Sequence, residues 1–76
     1  MDAPEISVVV LAYRSAGTIE SFVKSLVHSL EEEQLLWEII LVGNYFKGIG
    51  DKTPEVVRKI AARDSRIQRL LKKKKE

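Results

Sequence analysis

Apolar and polar positions along the chain fall into five blocks whose period alternates. Residues 6–13, Ile-Ser-Val-Val-Val-Leu-Ala-Tyr, are rich in β-branched side chains and nearly continuous in apolar character. That pattern suits a parallel strand buried on both faces. After a polar break at residues 14–17, Ile19, Phe22, Val23, Leu26, Val27 and Leu30 recur at helical spacing, with Glu20, Lys24, Ser25 and Glu31 opposite. Ser15 or Thr18 is suited to cap this helix. Glu31, Glu32 and Glu33 should end it, because three carboxylates sit poorly at the negative end of a helix dipole. Residues 37–42 read as a second strand, and residues 43–52 as a loop broken by Gly43, Gly48 and Gly50. Thr53-Pro54-Glu55 opens a second helix, with Thr as cap, Pro at the first helical position and Glu at the positive end. Val56, Val57, Ile60 and Ala61 form its buried stripe, and Arg58, Lys59 and Arg63 its wet one. Asp64-Ser65 breaks it, and residues 66–71 form a weaker third strand.

The order β-α-β-α-β defines an α/β chain with a Rossmann-like, parallel three-stranded sheet, expected in the order 3-2-1. Right-handed crossovers then put both helices on one face. The other face is left bare, and the first strand becomes an uncharged open edge, which natural sheets avoid. The chain therefore reads as half of a larger assembly, with self-association expected through the edge or the face, most simply as a two-fold dimer. Residues 1–71 form the partial domain and residues 72–76 a basic tail.

Composition narrows the chemistry. Seventy-six residues allow one small domain. There is no cysteine, and His28 is the one histidine, which excludes disulfides, thiolate zinc sites and multi-histidine metal sites. The longest apolar run, residues 8–13, is six residues against the roughly 20 that span a bilayer. The amino-terminal residues Asp2 and Glu5 are acidic, and no signal peptide is read there. A cytoplasmic location, or one on the cytosolic face of a membrane, is expected. The net charge of +2 hides a polarity, since residues 1–43 carry −5 and residues 44–76 carry +7. Lys72 to Lys75 account for much of the basic excess. No aromatic follows Phe46, so these lysines read as a solvated end and no nucleic-acid partner is expected.

Several familiar constellations fail. A phosphate loop requires glycine where Asp51 stands before Lys52-Thr53, and a carboxylate there repels phosphate. The dinucleotide fingerprint fails because its third glycine falls on Thr53. No carboxylate ends the first strand, as a receiver-type phosphoacceptor requires. Ser25 lies one turn from His28 on the same helix, a spacing that aims no nucleophile. Tyr13 and Arg14 are better placed. They leave the first strand at its carboxyl end, where open α/β sheets bind ligands, and a helix start beside them favours an anion. Asn44 leaves the second strand at the same rim and can reach a base edge, with Tyr45 and Phe46 adding aromatic surface. The competing reading packs Tyr13 on the first helix and leaves Asn44 turning the chain.

Residues 6–13, Thr18-Ile19, residues 37–42 (Trp-Glu-Ile-Ile-Leu-Val), Asp51-x-Thr-Pro-Glu55 and Asp64-x-Arg-Ile67 together resemble the opening of family 2 glycosyltransferases. The likeness is closest to the branch of dolichol-phosphate mannosyltransferase-like enzymes, and it runs from Ile6 to about Leu71. It implies the amino-terminal part of a GT-A fold that transfers a sugar from a nucleotide-diphosphate donor, usually with Mg²⁺ or Mn²⁺. By resemblance Ala12, Tyr13, Arg14, Ser15 and Asn44 lie along the nucleotide.

Departures are visible. Leu11 replaces a usual proline, Arg14-Ser15 a usual Asn-Glu, and Gly43-Asn44-Tyr45-Phe46 a usual Asp-Asp-Gly-Ser. The family's Asp-x-Asp metal motif and its catalytic base would both follow residue 76. The resemblance thus implies the nucleotide-sugar-binding portion of an enzyme, inactive by itself, with no catalytic or metal-ligating residue here and with a parent that could associate with membrane. The alternative is a small non-enzymatic interaction module that dimerises through the first strand and offers its lysines to anionic partners.

Overall fold

The β-branched run Ile6–Tyr13 forms β1, and the amphipathic segment Ile19–Glu32 forms α1. Trp37–Phe46 forms β2, Thr53–Arg63 forms α2, and Ile67–Lys74 forms β3. The structure, a computed structural model, describes residues 3–46 and 50–74; Gly48 lies outside the described residues. The sheet is parallel throughout, with Val10 opposite Leu41 in β1 and β2, and Ile39 opposite Ile67 in β2 and β3.

Its order is β1-β2-β3, which corrects the 3-2-1 written from the sequence. From whichever edge the strands are counted, β2 is central and β1 and β3 are the edges. Each strand pairs with its successor because both crossovers step the same way across the sheet.

One face of the sheet carries the core. Val10 and Ala12 of β1, Trp37, Ile39 and Leu41 of β2 and Ile67 of β3 pack with Ile19, Val23 and Leu30 of α1 and Val57 and Ile60 of α2. Burying an aliphatic side chain as fully as Ile39 or Leu41 stabilises the fold by about 1.5–3 kcal/mol. The alternate residues meet no helix. Val9 is 59% and Leu11 71% exposed, so β1 is buried on one face, not on both. Its long apolar run gives no warning of this, because alternation disappears when both faces are apolar.

Two strand ends and one helix position also differ from expectation. β2 continues through Gly43, Asn44, Tyr45 and Phe46, because β3 extends to Lys74 and pairs with each of them. Residues 72–74 therefore belong to β3, and the side chains of Lys72 and Lys73 remain exposed. Gly43 makes the extension possible: a Cβ there would lie 2.9 Å from Leu71 Cδ2 and 3.5 Å from Val57 Cγ2. Phe22 of α1 is exposed, outside the buried stripe.

The caps also differ. Thr18 stands at the start of α1 without a side-chain capping bond, and Ser15 Oγ turns back to the Tyr13 backbone. For α2, Thr53 lies inside the first turn and Asp51 accepts from its amide at 2.9 Å. Beyond α2, Asp64 accepts from the Arg66 amide and guanidinium, and Arg66 stacks over Trp37 at 3.9 Å from the ring centroid. No helix among the described residues is long and apolar enough to cross a membrane.

Candidate functional site at the carboxyl rim of the sheet

β1 ends at Tyr13, and parallel pairing sets Asn44 of β2 directly beside it. Both side chains belong to the bare side of the sheet by strand alternation. Tyr13 is about half exposed, and Asn44 is half-buried, with its Oδ1 covered and no hydrogen-bond partner among the described residues.

The chain then turns sharply. Arg14 adopts φ 48°, in the left-handed region that a non-glycine residue enters only when its neighbours hold it there. Ser15 provides that hold: its Oγ accepts from the Tyr13 amide at 3.0 Å and donates to the Tyr13 carbonyl at 2.8 Å. The Arg14 guanidinium sits 5.4 Å from the centroid of the Tyr13 ring, a cation–π contact.

A second tie joins this turn to α2. The Ser15 amide donates to Thr53 Oγ1 at 3.0 Å, and Thr53 Oγ1 donates to Asp51 Oδ1 at 2.6 Å. Thr53 is fully buried, so its hydroxyl serves these two groups and no solvent. The two hydrogen bonds from Thr53 hold the Asp51 carboxyl below its ordinary range, with a smaller contribution from the charge of Arg14. Asp51 Oδ2 is buried with no partner among the described residues.

Between the two loops lies an open pocket of about 500 Å³, lined by Arg14, Ala16, Gly17, Gly50, Asp51 and Lys52. Two cations and one carboxylate line it, so an anion meets a net positive wall. The amides of Thr18 and Ile19 both donate to the Ser15 carbonyl, which removes them as donors for a ligand.

Of the residues singled out from the sequence, Tyr13, Arg14 and Asn44 gather at one rim. Arg14 joins the bare-face pair to the pocket. Ser15 supports the turn with both its amide and its hydroxyl. Ala12 is fully buried toward the helices, so only its backbone remains for a ligand. Tyr45 falls on the helix side by alternation and adds no aromatic surface beside Asn44. Position 43, where the resemblance expects a carboxylate, also faces the helices against Leu71 and Val57.

Sequence reasoning missed Ala16, Gly17, Gly50, Asp51 and Lys52 as pocket residues. The available signal was Asp51-x-Thr53, the spacing at which a carboxylate accepts from the amide two residues on and fixes a turn. Among the described residues, no group of three His, Asp or Glu side chains could hold a metal ion. His28 is exposed on α1 and pairs with Glu32 at 2.5 Å, remote in sequence from this rim.

The chain is 39% identical over 66 residues to Glycosyltransferase AglD of Haloferax volcanii. This supports a relationship to glycosyltransferases. The match takes in 84% of this chain and 10% of that protein, so the chain spans about a tenth of the length of the curated relative it matches. No family model matches the chain, and no solved structure matches it.

Proposed function

We propose that the rim of Tyr13, Arg14 and Asn44 binds the nucleotide of a nucleotide-diphosphate sugar, and that this chain is the nucleotide-binding front of a family 2 glycosyltransferase of the GT-A fold. The observation that carries the reading is the side-by-side register of Tyr13 and Asn44 at the carboxyl end of the sheet, next to a pocket walled by Arg14 and Lys52. Open α/β sheets take their ligands at that end. The relationship to a glycosyltransferase supplies the ligand class.

In this reading the Tyr13 ring stacks on the base. Asn44 meets the base edge through its side-chain amide group, because its Oδ1 is covered and out of a ligand's reach. Arg14 and Lys52 attract the diphosphate. Ser15 and Thr53 touch no ligand and act as positioning residues, because they fix the turn that presents Arg14.

Mg²⁺ or Mn²⁺ would assist departure of the nucleotide diphosphate in the complete enzyme. The residues of this rim do not fit such an ion. Asp51 is the pocket's carboxylate, and its Oδ1 is engaged by Thr53. In this reading the rim binds the nucleotide and takes no part in the chemistry of sugar transfer. A cytosolic location belongs to the same proposal, since that is where nucleotide-sugar donors would meet this rim.

Amide chemical-shift mapping with uridine and guanosine diphosphates tests the reading. Changes gathered on Tyr13, Arg14, Gly17, Asn44 and Lys52 are expected. Changes confined to α1 residues such as His28, or none at millimolar ligand, contradict it.

A further inference from the structure

The bare side of the sheet is organised in rows, because parallel pairing aligns the three strands. Ser7 and Glu38 form the first row, Val9, Ile40 and Gln68 the second, Leu11, Val42 and Leu70 the third, and Tyr13, Asn44 and Lys72 the fourth. The two middle rows are apolar but for Gln68. Leu11 and Leu70 are both exposed within them, Leu70 to 48%. The outer rows carry opposite charge, with Glu38 at the amino end and Lys72 at the carboxyl end. Ser7 Oγ donates to Glu38 Oε1 and keeps that carboxylate over the face.

We propose that this face docks a second copy of the chain, packed face to face with its strands reversed about a two-fold axis across them. The charge pattern decides the occupant. A surface that is acidic at one end, basic at the other and apolar between is complementary to itself when turned end for end. Reversal sets Val9 and Ile40 against the Leu11 row of the second copy, and brings Glu38 over the row that holds Lys72. Packing in the parallel sense would set Glu38 against Glu38, which like-charge repulsion opposes.

The extent of the face sets the strength. Three strands about 4.8 Å apart and four rows along them give a footprint of roughly 300 Å² per copy. Even with side-chain relief the two copies together bury less than the roughly 1,200 Å² of standard interfaces, which makes this a weak, reversible dimer. A ligand on Tyr13 and a second copy compete for the same ring, so the test contains no nucleotide and is independent of the proposal above.

Sedimentation equilibrium of the whole chain from about 10 µM to 1 mM tests the inference, with circular dichroism confirming that each variant is folded. The wild-type chain should self-associate reversibly within this range. Leu70→Lys and Lys72→Glu should each raise the dissociation constant tenfold or more, and Glu38→Lys combined with Lys72→Glu should restore it. A wild-type monomer at 1 mM overturns the proposal. So does failure of the charge exchange to restore association, or a dimer abolished by Leu11→Lys yet indifferent to Leu70→Lys, which would assign pairing to the β1 edge.

Discussion

The Ser15 amide and the Thr53 hydroxyl meet at 3.0 Å across 38 residues of chain. This bond ties the turn after β1 to the first turn of α2, and with it the two walls of the rim pocket. Thr53 passes the connection to Asp51, so one buried hydroxyl holds both loops.

Replacing that hydroxyl should loosen the rim before it unfolds the sheet. Thr53→Val keeps the shape but leaves the Ser15 amide without its acceptor, at a cost of about 1–3 kcal/mol. Thr53→Ser keeps both bonds and should cost less. Urea denaturation gives the stabilities. Hydrogen exchange at the Ser15 amide should accelerate in the valine variant and not in the serine one.

The same connection is sensitive to acid. Asp51 is held below the ordinary aspartate value by its hydrogen bonds from Thr53, so its contribution is present above about pH 4 and is lost as pH falls through the depressed value. Asp64, lowered by its bonds from Arg66, acts in the same direction. Urea midpoints should therefore fall on going from pH 6 to pH 3. Asp51→Asn keeps an acceptor for Thr53 without the titrating charge, and should remove part of that slope.

Gly43 supports two contrasting substitutions. A Cβ there approaches the end of the Leu71 side chain, which can swing, so Gly43→Ala should cost about 1 kcal/mol or less. Gly43→Asp installs the residue that the resemblance expects, but on the helix side against Leu71 and Val57. An unpaired buried carboxylate should destabilise the fold by about 3 kcal/mol or more. Thermal melts of the two variants check both expectations.

Arg66 clamps the amino end of the sheet. It stacks on the buried Trp37 and pairs with Asp64 at 2.8 Å and Glu31 at 3.2 Å. Arg66→Ala should cost about 1–2 kcal/mol and change the fluorescence of Trp37, the one tryptophan of the chain. Arg66→Lys should recover only part of the loss, because an ammonium does not stack as a guanidinium does.

The element order and the buried stripes of both helices were legible because their period is local. Val57 and Ile60 are buried as their spacing implied. The strand ends were not legible. Gly43 looks like a breaker in isolation, and Lys72 looks like a solvated tail. Gly43 becomes strand because Leu71 lies beside it, and Lys72 because Asn44 does, pairings about 28 residues apart in sequence. Exposure of Val9 and Leu11 was hidden for a related reason, since composition records that a residue is apolar and not whether anything covers it. At the rim, Tyr13 and Arg14 were legible from the end of β1, whereas Asn44, read as leaving the second strand, lies within β2. Asp51 was read as an obstacle to phosphate binding and as part of the resemblance, and its hydrogen bonds from Thr53 needed the geometry.

Isothermal calorimetry of the folded chain with uridine diphosphate and guanosine diphosphate, in parallel with the Tyr13→Ala and Asn44→Ala variants, tests the central claim most directly. Saturable binding of one of the two diphosphates is expected, lost in Tyr13→Ala and weakened in Asn44→Ala, with both variants retaining the melting behaviour of the parent. Binding that survives Tyr13→Ala undiminished, or no heat from either nucleotide at millimolar concentration, would contradict it.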